Sequence, residues 1–350
     1  MKDLIQTLND ILQYDDINRI RKSIATLRDE VNSSKKNEIT LMINGDTEKV
    51  NLSFLNGEFE QILKTRTLER TKYYITRLIK SLSEIKPGKV NDLNLNRWKE
   101  YNDIITDSLW ILDKRDKSGA HNASYWGNFI PQIPNQFLRR YTKKNEWVLD
   151  PFLGSGTTLI ECKRLGRHGL GIELQPEVIN IARENIGKEN NPHKVNTAIL
   201  NGDSTAIDIK KELNKHKIKS VQFVIMHPPY WDIIKFSDKK NDLSNAESVE
   251  SFLSMFSKVS GNALSVLDKG RYFAVIIGDK YSSGEWIPLG FYLMNDLIKK
   301  GYKLKSTIVK NFDETKGKMN QKELWRYRAL AGGFYIFKHE YIFLFQKNNI

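Results

Sequence analysis

Two regimes of hydrophobic spacing divide the chain. Up to about residue 110 the apolar positions recur every three or four residues. "LIQTLNDILQYDDINRIRKSIATLRDEV" and "FEQILKTRTLERTKYYITRLIKSL" therefore predict amphipathic helices, the second with a basic outer face. Between them "EITLMINGDTEKVNLSFL" predicts a β-hairpin turning at Asn44-Gly45-Asp46. "SEIKPGKVND" breaks the pattern at Pro87-Gly88 and reads as a linker. From about residue 145, short apolar runs alternate with helical stretches. "EWVLD", "HGLGIE", "TAILNGD", "VQFVIMHPPY" and "RYFAVIIGD" predict strands, with helices over "TTLIECKRLG", "PEVINIARENI", "ESVESFLSMFSKVSGNALSVL" and "LGFYLMNDLIKKG". Alternation of this kind predicts an α/β fold with a doubly wound, mostly parallel sheet. No helix separates "KLKSTIVKN" from the closing "HEYIFLFQK", so the last strand is expected to run antiparallel. The expected organisation is a mainly helical region over 1–110 and the sheet domain over 111–350.

Charge adds a partner class. The 350 residues carry a net charge of +13 with a pI of about 9.4, which favours a polyanion, nucleic acid ahead of a membrane surface. The single cysteine, Cys162, excludes an internal disulfide framework and a Cys-based zinc cluster. "MKDLIQTLNDILQYDD" is interrupted by acids and lacks a signal-peptide core, and no apolar run approaches the roughly 20 residues of a membrane span. A cytoplasmic protein with no metal is expected.

Ligands of open α/β sheets sit beyond the carboxyl ends of the strands. Here those ends are Asp150, Glu173, Asp203, His227 and Gly278-Asp279. After the first comes "DPFLGSGTT". Gly154 and Gly156 let the backbone pass close to a ligand, while Thr157 and Thr158 are placed to cap the next helix. The stretch is not a phosphate loop, since no GK[ST] follows, and it lacks the full GxGxxG spacing. Taken alone it is as well read as packing. Glu173 lies about twenty residues on, where an acid holds ribose hydroxyls, and Asp203 could accept from an exocyclic amine. Three acids around a glycine loop point to a nucleoside cofactor without a phosphate tail.

"DPFLGSGTT" followed by "HPPYWD" resembles the S-adenosylmethionine-dependent DNA methyltransferases that modify exocyclic amines, on cytosine N4 or adenine N6. "HNASYWGNFIPQIPNQFLRRYT" is similar to the family segment that precedes the glycine loop and closes over the methionine end of the cofactor. The resemblance covers about residues 105 to 350. It implies a Rossmann-like methyltransferase sheet with Asp150, Phe152, Gly154, Gly156 and Thr157 around S-adenosylmethionine. It places Glu173 on the ribose, Asp203 on the adenine amine, and His227, Pro228, Pro229 and Tyr230 in the catalytic turn. Double-stranded DNA with the target base flipped is the implied partner. The sequence does not decide whether a companion restriction endonuclease or a homodimer goes with it.

An exocyclic amine is a poor nucleophile because its lone pair is delocalised into the ring. A rigid carbonyl such as that of Pro228 can accept one N–H while the preceding side chain takes the other, and positioning does most of the work. Tyr230 would stack on the flipped base, and Trp231, the next aromatic, resembles the cytosine-N4 branch. Family members carry Asp, Asn or Ser at the position of His227. A neutral imidazole accepts one hydrogen bond but offers no oxygen; it would serve as acceptor, or merely cap the strand. Cytosine-C5 chemistry needs a cysteine nucleophile on the substrate side, and Cys162 in mid-helix reads as a small buried hydrophobe.

Residues 315–341 interleave Lys316, Lys318, Lys322, Arg326 and Arg328 with Trp325, Tyr327, Phe334 and Tyr335. That pattern suits phosphate contact plus base stacking, or a surface loop whose aromatics pack on the sheet. The resemblance implies Arg115 and His121 at the site's edge, where their segment otherwise reads as the join between domains, and Lys64, Arg66, Arg70, Lys72 and Arg77 on the basic helix either meet phosphates or form a solvated face. An RNA guanine-N2 methyltransferase and an inactive nucleic-acid-binding homologue are the alternatives.

Overall fold

The computed structural model describes residues 4–33, 37–43, 46–122, 124–312 and 322–348. The chain forms two compact units, residues 1–104 and 105–350. In the first, α1 (Leu4–Leu12) and α2 (Ile17–Asn32) precede the antiparallel pair β1 (Glu38–Ile43) and β2 (Asp46–Asn51), followed by α3 (Leu52–Leu63) and α4 (Leu68–Ser83). Two residues of the expected hairpin turn, Asn44 and Gly45, lie outside the described residues. In α2, Asp16 caps the N-terminus by accepting from the Asn18 amide, and Ile20, Ile24, Leu27 and Val31 form the buried stripe. Thr67 caps α4, which buries Ile75, Leu78 and Leu82 against the same core. "SEIKPGKVND" is no extended linker. Pro87 and Asn94 form an isolated bridge, and the Leu95 amide donates to Lys86, so the stretch folds as a closed turn inside this unit.

The second unit holds β3 (Leu109–Trp110), α5 (Gln132–Tyr141), β4 (Trp147–Asp150), α6 (Thr157–Leu165), β5 (His168–Glu173), α7 (Pro176–Lys188), β6 (Thr197–Asn201), α8 (Ile209–Lys215) and β7 (Val221–Met226). It continues with α9 (Val249–Ser265), β8 (Leu267–Ile277), a hairpin of β9 (Lys280–Ser282) and β10 (Glu285–Ile287), α10 (Leu289–Lys299), β11 (Lys303–Asn311), α11 (Lys322–Gly332) and β12 (His339–Gln346). Eight strands form one sheet in the order β3-β11-β12-β8-β7-β4-β5-β6. β6 to β8 are mutually parallel, and β12 runs antiparallel between β8 and β11 as expected, although α11 lies between β11 and β12 where the sequence pattern predicted no helix. β3 pairs with β11, so residues 109–110 belong to this sheet.

Both faces of the sheet are covered, which is why its central strands read as unbroken apolar runs. On one face Val224, Met226, Phe273 and Val275 pack with Phe252 and Phe256 of α9 and Leu293 of α10. On the other Phe223, Ile225, Ala274 and Ile276 meet Ile133 and Phe137 of α5, with Cys162 among them. Burial pushes the Cys162 thiol far up, leaving no thiolate for C5 chemistry. Among the described residues no helix is long and apolar enough to cross a membrane.

Candidate active site

β4 and β7 are parallel neighbours, with Leu149 opposite Val224, so the turns that follow them open side by side. The chain runs from β4 outward to β5 and β6, then returns to β7 and β8 on the other side of β4. Open α/β sheets bind ligands at such a reversal of strand order.

Asp150 is almost wholly buried at the end of β4. Its Oδ1 accepts from the Phe152 amide at 2.9 Å and its Oδ2 from the Thr158 hydroxyl at 2.6 Å. Burial pushes its carboxyl up to about 6, against those two hydrogen bonds. Gly154 and Gly156 take φ of +52° and +95°, the left-handed region that side chains avoid. A Cβ at Gly156 would meet Ile186 of α7 at 2.9 Å, and one at Gly154 would meet the Tyr125 ring at 3.2 Å. Thr157 and Thr158 do not cap α6 as expected. Gly156 is its N-cap with no side-chain bond, because the Thr158 hydroxyl is drawn to the buried Asp150.

Glu173 ends β5. Its Oε2 accepts from the Gly154 amide and its Oε1 from the Gln175 amide, both at 3.0 Å. Burial raises this carboxyl, opposed by the Gln175, Gly154 and Leu174 amides. Asp203 lies two residues past β6. It accepts from the Thr205 amide at 2.8 Å and from Asn241 Nδ2 at 3.0 Å. A carboxylate oxygen has two lone pairs, so these acids keep acceptor capacity for a ligand. Phe152 packs against the core beside them. Asp279, the fifth strand-end position, is committed elsewhere: it accepts from Trp286 Nε1 at 2.9 Å and the Gly290 amide at 3.0 Å, fixing the entry to α10.

Residues 124–128 and 234–236 close over the glycine loop. Tyr125 stacks on Phe236 with centroids 6.4 Å apart, and Asn128 bonds the Ser155 hydroxyl. A cavity of about 350 Å³ lies here, lined by Tyr125, Trp126, Gln175, Val178, Ile181 and Phe236. Arg115 braces this segment by donating to the Phe129 carbonyl at 3.1 Å. His121, expected at the edge of the site, instead pairs with the buried Glu161 on α6, Nε2 to Oε1 at 2.6 Å.

Beyond β7, Pro228 is buried and Pro229 half-buried. The half-buried His227 ring meets the edge of Phe129 at 5.0 Å, and its Nε2 lies 3.1 Å from the Tyr230 hydroxyl. Burial pulls the imidazole down to about 4, with Glu340 acting the other way. Tyr230 donates its hydroxyl to Glu340 Oε2 at 2.6 Å, and Glu340 Oε1 pairs with Lys310 Nζ at 2.9 Å. Trp231 holds a φ of +52°, a strained value for a bulky residue. Its indole donates to the Ala246 carbonyl at 2.8 Å, and Lys280 Nζ stands 4.1 Å from the ring centroid while pairing with Asp232.

Lys316 and Lys318 lie outside the described residues. Arg326 and Arg328 sit on α11, which buries none of its side chains; Tyr327 is 69% exposed, and Arg328 lies over Trp325 at 5.1 Å. Farther on, Phe334 stacks on Tyr281 at 4.1 Å and Phe337 meets Trp286 at 4.0 Å, both on the β9–β10 hairpin, while Tyr335 is 87% exposed. In the N-terminal unit, Arg77 and Lys72 are committed to Glu58 and Asp15. Both are half-buried, and Glu58 is buried, so they are held in ion pairs within this unit.

Sequence reasoning missed Lys310 and Glu340. They are register partners across β11 and β12. An acid at the start of the apolar run in "HEYIFLFQ" was the available signal for Glu340, whereas Lys310 is one of three lysines in "KLKSTIVKN" and gave none. It also missed Tyr125 and Asn241, whose roles come from loop folding that periodicity does not encode.

A family model described as DNA methylase, for the N6/N4 methyltransferases, matches residues 9–184 and 221–350. The match begins well before residue 105 and takes in the N-terminal unit, which the motifs alone did not connect to the family. The chain is 50% identical over 116 residues to the type II methyltransferase M.HindIII of Haemophilus influenzae, covering 33% of this chain and 36% of that protein. It is 37% identical over 101 residues to M2.DpnII of Streptococcus pneumoniae, covering 27% and 34%. The match to M.MjaII of Methanocaldococcus jannaschii is 41% over 70 residues, covering 19% and 13%. The chain thus spans about a third or less of the length of these curated relatives. Among solved structures, TrmN from Thermus thermophilus aligns with a TM-score of 0.40 at 18% identity, over 63% of this chain and 49% of that one.

Proposed function

The chain belongs to the N6/N4 DNA methylase family, and on that premise we propose that it transfers a methyl group from S-adenosylmethionine to an exocyclic base amine of double-stranded DNA, on cytosine N4. The observation that carries this reading is the pairing of β4 with β7, which sets the Asp150–Gly156 loop beside the His227–Tyr230 turn. The residues suit the cofactor. Gly154 and Gly156 keep the loop free of side chains, Glu173 offers spare lone pairs for a vicinal diol, and Asp203 offers one for an amine. When bound, S-adenosylmethionine supplies an electrophilic sulfonium methyl. Phe152 and Thr157 complete the loop around it.

The turn supplies the rest. The base leaves the stack and lies against Tyr230, the Pro228 carbonyl accepts one amine N–H, and His227 accepts the other. With its imidazole pulled down to about 4, His227 is neutral at pH 7 and can serve as that acceptor. Pro229 holds the turn stiff. Cytosine is proposed over adenine because the aromatic after Tyr230, Trp231, resembles the cytosine-N4 branch of the family. The basic residues Lys316, Lys318, Arg326 and Arg328 meet the phosphates. Labelled methyl transfer to DNA, tRNA or neither, followed by nucleoside analysis, tests the reading. N4-methylcytosine in DNA is expected; N6-methyladenine would overturn the choice of base, and label in tRNA alone would overturn the substrate.

A further inference from the structure

β12 runs against its neighbours, so it starts on the sheet edge where β7, β8 and β11 end. That direction brings Glu340, near its beginning, to the level of Lys310 at the end of β11 and of the turn after β7. Tyr230 reaches Glu340 across the end of β8, where the chain has glycine. A Cβ at Gly278 would meet the Tyr230 ring at 2.8 Å.

The four side chains form one line of hydrogen bonds whose polarity is fixed from its charged end. Lys310 and Glu340 are both buried, 6% and 8% exposed. An ammonium only donates, so Glu340 Oε1 accepts from it. Burial works to raise the Glu340 carboxyl, but Lys310, His227 and the Tyr230 bond hold it below its ordinary value, so it is a carboxylate. Oε2 must then accept as well, and the Tyr230 proton points at it. The phenol oxygen has only lone pairs left for His227 Nε2 at 3.1 Å, so Nε2 carries the imidazole proton. Nδ1 becomes the acceptor. It has no partner among the described residues and, unlike Nδ1 of His121, is not sealed from solvent.

We infer that Lys310 and Glu340 are positioning residues which, through the Tyr230 hydroxyl, hold His227 in its Nε2–H tautomer and present Nδ1 as the acceptor for the substrate amine. The inference rests on the methyltransferase reading for the identity of that substrate. It also accounts for a histidine where the resemblance implies an oxygen side chain: a neutral imidazole serves only if the correct nitrogen is bare. A carboxylate needs no such arrangement. The charged and titratable groups facing the ring are Glu340, Lys310 and Tyr230, from three different elements.

Glu340→Gln reverses the line. Lys310 would take the amide oxygen, the amide N–H would donate to the phenol, and the phenol proton would turn to His227 Nε2, moving the imidazole proton to Nδ1. The test is ¹⁵N NMR of the histidine rings in the full chain, with His227 assigned from the His227→Asn variant, beside steady-state kinetics. Wild type is expected as the Nε2–H tautomer and Glu340→Gln as Nδ1–H. In Glu340→Gln, kcat should fall on the order of 10²-fold, with cofactor affinity and KM for DNA unchanged, and Lys310→Arg should keep both the tautomer and kcat. An Nδ1–H wild type would overturn the inference without any variant. So would a Glu340→Gln protein that keeps the Nε2–H tautomer. If wild type is Nε2–H but transfers no methyl group to DNA, the relay stands and the functional reading fails instead.

Discussion

Gly154 donates its backbone amide to Glu173 Oε2 at 3.0 Å, so the loop after β4 and the acid ending β5 are held as one piece. Replacing Glu173 would therefore remove both the proposed ligand group and the brace that shapes the loop. Glu173→Ala should weaken S-adenosylmethionine binding about 10- to 100-fold, the loss of one or two hydrogen bonds to a charged group. Gly154→Val should abolish binding, because its φ of +52° excludes a β-branched residue and its Cβ would press on Tyr125. Titration calorimetry measures both. Unchanged affinity in either variant would sink the cofactor assignment.

The turn beyond β7 acts on a different step. Pro229→Ala and Tyr230→Ala should lower kcat by on the order of 10²-fold or more while S-adenosylmethionine binding persists. Tyr230→Ala deletes the ring proposed to stack on the base and the hydroxyl that reaches Glu340 together, so it should be the worse of the two. Parallel loss of cofactor binding would mean that the turn shapes the cofactor site instead.

His227 also leaves a mark on stability. Burial pulls its imidazole to about 4 from an ordinary 6.5, so between those values the unfolded chain binds more protons. Its contribution is fully present above pH 6.5 and is lost as pH falls toward 4, by roughly 3 kcal/mol at most. Asp150 works the other way, its carboxyl raised from 3.8 to about 6, with a contribution that is lost as pH rises through 6. Comparing wild type with His227→Asn by urea denaturation from pH 7 to 4 cancels the Asp150 effect, since both proteins carry it. The wild-type advantage should shrink steadily on acidification. A constant difference would mean that the ring titrates as freely as in the unfolded chain.

What the sequence disclosed followed from periodicity and from local chemistry. The strand ends at Asp150, Glu173 and His227 were readable because each closes an apolar run, and the glycine loop because only glycine tolerates its backbone. The antiparallel direction of β12 was readable, although the reason for expecting it, the lack of a helix before it, fails at α11. Its consequence was not: nothing local to "HEYIFLFQK" says that Glu340 lands beside Tyr230, because that depends on strand order across four neighbours. The supposed linker failed for a similar reason. Pro87-Gly88 breaks a helix, but Asn94 then closes the break into a turn by accepting from the Lys86 amide. Thr158 was placed correctly at a helix start, yet buried Asp150 outcompetes the backbone for its hydroxyl.

The basic surface predicts a salt dependence. Arg326 and Arg328 lie exposed on α11, a helix with no fully buried residue, in sequence with Lys316 and Lys318. Each phosphate contact contributes about 0.9 to the slope of log K against log salt concentration. Changing all four to glutamine should flatten that slope by two to four such steps, roughly 2 to 4, in fluorescence anisotropy with duplex DNA. Weaker binding at an unaltered slope would remove these residues from the phosphate contacts.

Phosphate contacts position a protein without reading sequence, so selectivity needs a second source. The glycine loop and the catalytic turn are separated by helices and strands of the sheet alone, with no spacious insertion between them. Recognition must then come from the N-terminal unit or from the segment around α11. The N-terminal unit has its own core, from Leu8 and Ile20 through Phe59 to Leu82, and lies within the family match. Its role in recognition is our proposal. Deleting residues 1–104 should leave a protein that binds S-adenosylmethionine with near-native affinity, because every group of the cofactor cradle lies beyond residue 105. Site-specific methylation should fall sharply, by at least about 10-fold if even one base contact worth 1–3 kcal/mol is lost. Sequencing of methylated positions on a mixed DNA substrate measures it. If the shortened protein marks the same sites at the same rate, selectivity resides in the segment around α11, and the N-terminal unit serves some other purpose.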